Sequence, residues 1–152
     1  MRLRAIMPKY AVAVSTAALA ATGLAVTASP AEAASYPTCN AAKKHYISST
    51  RFVVQPYYTG TGSRNCVMGY GAQSAGVTRL QFAINDCYNG IANIREDGIY
   101  GSETRNAVKY VQEQTDGDAA VDGVYGPETR KATYWGVYIE GEGFYKCQKP
   151  QV

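Results

Sequence analysis

The feature that most constrains this chain is an internal duplication. DGIYGSETRNA, Asp97 to Ala107, recurs as DGVYGPETRKA, Asp122 to Ala132, with eight of eleven positions identical. A unit this short cannot bury an apolar face alone, and two copies fall short of the roughly three that a solenoid needs. The copies must therefore share a core with another element. Each reads as a tight turn feeding a helix: Asp97 and Asp122 can accept hydrogen bonds from backbone amides just ahead, while Gly98 and Gly123 admit positive φ. Ile99 and Val124 are expected to point inward, and Tyr100 and Tyr125 each bring a large ring whose hydroxyl needs a partner. Helices are predicted from near Ser102 and Pro127, because proline suits the first helical position and Glu103 and Glu128 complement the helix dipole.

A third helix precedes the repeats. In VTRLQFAINDCY the apolar residues Val77, Leu80, Ile84, Cys87 and Tyr88 recur at helical spacing, and Asn89 and Gly90 supply a stop. The first repeat helix carries Ala107, Val108 and Val111 and ends around Thr115; the second carries Ala132 and Trp135 before a glycine-rich run. All are too short to stand alone in water, so their apolar faces must pack together. Upstream, RFVVQPYY is strand-like, but Pro56 limits it to an edge strand.

Met1 to Val26 reads as a secretory leader, with Arg2, Arg4 and Lys9 ahead of an apolar, small-residue stretch and a cut expected after Ala33. Three of the 15 basic residues and Glu32 of the 12 acidic ones leave with it, so the mature chain is close to neutral. That, and the lack of a basic stripe, argues against nucleic acid as a partner; once the leader is cut no membrane partner is expected either. All four cysteines lie beyond the cut, in a compartment that favours disulfides. Of three possible pairings, the short loop between Cys66 and Cys87 and a clasp of both ends by Cys39 and Cys147 are the expected ones.

Taken in order over Cys66 to Trp135, these residues resemble the peptidoglycan-binding domain family, as a stand-alone secreted member of actinobacterial type. The resemblance rests on Val77, Leu80 and Gln81 in the first helix. It continues through Asp97, Gly98, Tyr100, Gly101, Thr104, Ala107, Val108, Val111 and Gln112, and ends on Asp122, Gly123, Tyr125, Gly126, Pro127 and Thr129. It departs where the family usually has Phe, here Val111, and Leu, here Thr133. It implies a mainly α fold: a three-helix bundle with two Asp-Gly loops, plus disulfide-tied terminal arms with a little β structure. The implied organisation is a signal peptide at 1–33, an N-terminal arm at 34–65, the binding domain at 66–135 and a C-terminal arm at 136–152.

The implied function is non-catalytic binding of peptidoglycan, glycan or stem peptide, outside the cell or at the wall, with no cofactor or metal. Tyr100, Arg105, Tyr110, Tyr125, Arg130 and Trp135 are the candidate ligand residues, since sugar faces stack on aromatics and stem carboxylates pair with arginines at helix starts. Gln81 and Gln112 are expected to satisfy loop backbone instead. An enzyme is disfavoured: His45 is the only histidine and HExxH and GxSxG are absent. Glu140 and Glu142 are the one carboxylate pair a small wall hydrolase could use. The other alternative is a secreted interaction or inhibitor module on the same fold, presenting Phe52, Tyr57 and Tyr58 to a protein partner.

Overall fold

The computed structural model describes residues 35–91, 93–115 and 117–149, so the leader reading lies outside the described residues. Seven elements follow in order: β1 (Ala41–Tyr46), β2 (Arg51–Tyr57), α1 (Ala75–Cys87), α2 (Ser102–Glu113), α3 (Pro127–Ala132), β3 (Trp135–Ile139) and β4 (Gly143–Gln148). Helices α2 and α3 start where the sequence places them, and α1 starts at Ala75, two residues ahead of the expected Val77. The expected mainly α bundle is nevertheless wrong: the two terminal arms join into one four-stranded antiparallel sheet, ordered β1-β2-β3-β4. The N-terminal arm supplies β1 and β2, the C-terminal arm β3 and β4, and the seam is the pairing of Arg51, Phe52 and Val53 with Ile139, Tyr138 and Val137.

Pro56 explains how a strand expected at an edge lies inside the sheet. β3 reaches only as far as Val53, so β2 is unpaired on that side at Pro56, and the missing N–H breaks no ladder there. The second repeat helix is shorter than expected. Thr133 turns extended at ψ 138°, its hydroxyl donating back to the Thr129 carbonyl at 2.6 Å, and Trp135 opens β3 rather than extending α3. The Trp135 indole N–H donates to the Arg130 carbonyl at 3.0 Å, closing the end of the helix.

One core joins both layers. Val77, Leu80, Ala83 and Ile84 of α1 meet Ala107, Val108 and Val111 of α2, the rings of Tyr100 and Tyr125, and Val53, Trp135 and Val137 of the sheet. Helix α1 is capped by Ser74, whose Oγ accepts from the Val77 amide at 3.3 Å. Arg79 ties α1 to the strands by donating from Nε to the Val54 carbonyl at 3.0 Å and from Nη2 to the Tyr138 hydroxyl at 3.0 Å.

The disulfides also differ from expectation. Cys39 pairs with Cys66 and Cys87 with Cys147, replacing both Cys66 with Cys87 and Cys39 with Cys147. Loop length and end-to-end closure are poor guides here, because each bridge fastens an arm to the chain beside the helical unit. Cys39 is held next to Cys66 by a short bridge in which its amide donates to the Val67 carbonyl and the Val67 amide to the Pro37 carbonyl. Cys147 lies on β4 over the end of α1, where Cys87 is the last helical residue.

Candidate functional site

The two repeat loops are built alike to the level of single atoms. Asp97 Oδ1 accepts from the Ile99 amide at 2.9 Å, and Asp122 Oδ1 accepts from the Val124 amide at 2.8 Å. These turns need positive φ at the next residue, and Gly98 and Gly123 adopt +74° and +72°. A glutamine from the preceding helix locks each loop. The Gln81 amide group donates to Asp97 Oδ1, the Ile99 carbonyl and Thr104 Oγ1, while its oxygen accepts from the Gly98 amide. Gln112 makes the same four bonds to Asp122, Val124, Thr129 and Gly123. The expectation that both glutamines serve loop backbone is met.

The locked loops put the two repeat tyrosines inside. Tyr100, Tyr125 and Trp135 have no exposed surface, so these three candidate ligand residues are core plugs and not a binding face. The Tyr100 hydroxyl donates to the Gly123 carbonyl at 3.0 Å, linking the first loop to the second, and burial pushes both phenols well above their ordinary pKa. Tyr110 leans on the core, and its hydroxyl occupies the space a side chain at Gly90 would need. Arg130 is only 7 % exposed, whereas Arg105 remains on the surface. Ile99 and Val124, expected inside, are instead 46 % and 40 % exposed, because the locked turn hands the inward position to the neighbouring tyrosine.

Segment Val67 to Gln73 runs across both loops and shapes what they present. Met68 exchanges two backbone hydrogen bonds with Tyr125, both 2.9 Å, while the Gly71 amide donates to the Tyr100 carbonyl and the Tyr100 amide to the Ala72 carbonyl. Tyr70, between these anchors, is left 72 % exposed. On either side of Val124 lie two hollows of about 250 and 280 Å³ that share Val67 and Val124 as walls. The first is completed by Ala119, Ala120 and Pro127, the second by Thr38, Gly69 and Tyr70. Sequence reasoning missed Tyr70; its one signal was an aromatic set between glycines in a turn, outside any periodic pattern. A larger concavity of about 470 Å³ lies on the sheet among His45, Arg51, Val53, Val137, Lys146 and Lys149, and none of the expected ligand residues reaches it.

Residues 73–132 match the family model described as "Putative peptidoglycan binding domain". The match spans α1, both repeat loops, α2 and α3, and so includes the glutamine locks and the first of the two hollows except for Val67. Comparison with curated proteins and with solved structures found no match. A match to a peptidoglycan-binding model in a chain closed by two disulfides is consistent with an extracellular or cell-wall setting. No helix among the described residues is long and apolar enough to cross a membrane.

Proposed function

We propose that the protein binds peptidoglycan without cleaving it, seating a wall fragment in the paired hollows beside Val124. The observation that carries this is the exposed Tyr70 ring at the edge of a hollow that shares Val67 and Val124 with a second, largely apolar one, whose walls except for Val67 belong to the segment matching the peptidoglycan-binding model. The apolar face of a sugar ring stacks on such an aromatic, and Val124 and Pro127 offer the shallow apolar floor that small-ligand sites use. Arg105, exposed on α2, is the cation available to a stem-peptide carboxylate.

The groups available for chemistry support a binding role. All four thiols are tied up as disulfides. Glu140 is held below the usual carboxylate range by hydrogen bonds from Lys44 and Tyr46, the opposite of what a proton-donating acid of a glycosidase requires. Phe52, a candidate contact for the protein-partner reading, is buried and stacked on Tyr138.

The test is to pellet the oxidised protein with purified sacculi and assay both the pellet and the released fragments. Retention without release of sugar or peptide is expected. Tyr70→Ala should weaken retention by roughly tenfold, the cost of one stacking contact, with an unchanged helical signal. Fragment release, or full retention by Tyr70→Ala, would remove the proposal.

A further inference from the structure

A second cluster of polar side chains lies between β1, β2 and α3, apart from the groove. Gln55 of β2 and Tyr125 are fully buried and Arg130 nearly so. Gln55 Nε2, the Tyr125 hydroxyl and Arg130 Nε are buried and have no hydrogen-bond partner among the described residues. Each of these three groups can donate a hydrogen bond. Two neighbouring residues bring a second guanidinium to the same place: Arg64 Nη1 donates to Gln55 Oε1 at 2.8 Å, and Arg130 Nη2 donates to Asn65 Oδ1 at 3.4 Å. Neither arginine joins an ion pair among the described residues.

The surface beside the cluster, reached through Arg64, has the same sign. Lys43 stands opposite Gln55 in the β1/β2 register. A small hollow of about 90 Å³ beside it is lined by Lys43, Lys44, His45, Tyr57, Gly62 and Arg64, with no carboxylate among them. The Lys44 ammonium is engaged with Glu140 at 3.0 Å, which leaves Lys43 and Arg64 facing the hollow. Holding these cations together is unfavourable: Arg64 is pushed below its ordinary pKa by burial and then by Arg130, and His45 by burial and then by Arg64, Arg130 and Lys43.

We infer that Lys43, Gln55, Arg64, Tyr125 and Arg130 form a binding site for a small oxyanion, a carboxylate or phosphate group. Such a group has lone pairs for the orphaned amide, phenol and guanidinium N–H donors, and its charge offsets the two unpaired arginines. A water molecule could accept from the same donors but would leave that charge unbalanced. A cation finds almost only donors. The site draws its residues from both the sheet and the repeat unit, and most of them lie outside the matched segment.

The test titrates the oxidised full chain with inorganic phosphate, and separately with acetate, following the Arg130 Nε–H and Gln55 side-chain resonances by NMR. Saturable shifts with either anion are expected; phosphate alone points to a phosphate-bearing ligand, and acetate alone to a carboxylate. Arg64→Gln should weaken binding about ten- to hundredfold, the worth of one charge-assisted hydrogen bond, while Arg51→Gln on the neighbouring concavity leaves it unchanged. Arg64 is only partly buried, so this variant avoids the folding risk of replacing Arg130. Absence of saturable shifts with both anions, or equal weakening by Arg51→Gln, would overturn the inference. Because free anions are the probes, the result is independent of whether sacculi are bound.

Discussion

Replacing Gln112 by leucine keeps a side chain of similar volume, yet it deletes every polar contact of the second loop's lock at once. The two Gln112 N–H protons, shared among Asp122 Oδ1, the Val124 carbonyl and Thr129 Oγ1, are worth about 1 kcal/mol net each, and the buried Gly123 amide loses its acceptor at a further cost of about 1–3 kcal/mol. The expected loss is about 4 kcal/mol, a large fraction of the 5–15 kcal/mol that holds an ordinary domain together. Urea unfolding followed by the single tryptophan, Trp135, which is fully buried, reports it directly. With an m-value of about 1.5 kcal/mol per molar, the midpoint should fall by roughly 2–3 M with no change in slope. Gln112→Glu sharpens the test, because its carboxylate would face Asp122 Oδ1 and the Val124 carbonyl with one amide to accept from. Its folded pKa is then raised above the unfolded value of about 4.3. The side chain's contribution is therefore complete below that value and is lost as pH rises through the folded pKa. A midpoint within about 0.5 M of wild type for Gln112→Leu, at unchanged slope, would refute the account of the lock.

The two repeat tyrosines should respond oppositely to loss of the hydroxyl. Tyr100→Phe costs about 1 kcal/mol in a melting experiment because the Gly123 carbonyl loses its donor, whereas Tyr125→Phe removes an unpartnered buried group and is neutral or stabilising in anion-free buffer. Replacing both Cys87 and Cys147 by serine opens a bridge with a sequence separation of 60 and should cost roughly 4 kcal/mol, measured by calorimetry without reductant. Tyr88, pushed up to about 12 chiefly by burial, contributes stability that is complete below pH 10 and is lost as pH rises through 12. An ultraviolet titration should thus show late phenolate formation coinciding with unfolding; ionisation of every tyrosine near pH 10 with the fold intact would contradict this.

The helices were readable because each carries its own periodic pattern and start signal, and the duplication doubled the evidence for the loops. The sheet was not readable, because its outer strands carry no alternation to find. β1 is AAKKHY and largely exposed, and β4 is exposed over four of its six residues. Only β2 advertised itself, and Pro56 pointed to the edge although the fold merely required that β3 stop short of it. The site suffered a related ambiguity: a tyrosine after an Asp-Gly turn suits a platform and a plug equally. The glutamine locks, formed between residues well separated in sequence, are what turn Tyr100 and Tyr125 inward and leave Ile99 and Val124 outside. For the same reason Tyr70 is visible only once segment 67–73 has been laid across both loops.

The observed disulfide connectivity joins first to second and third to fourth cysteine. That is the order in which thiols appear as a chain emerges from its N-terminus, so Cys39 can meet Cys66 while Cys147 is still missing. The hazard is the interval afterwards, when Cys87 is present without its mate and Cys66 lies nearer in sequence. Prompt oxidation of the first pair protects against that wrong closure, whereas refolding the whole reduced chain at once makes all three pairings compete and calls for a shuffling thiol to recover the native one.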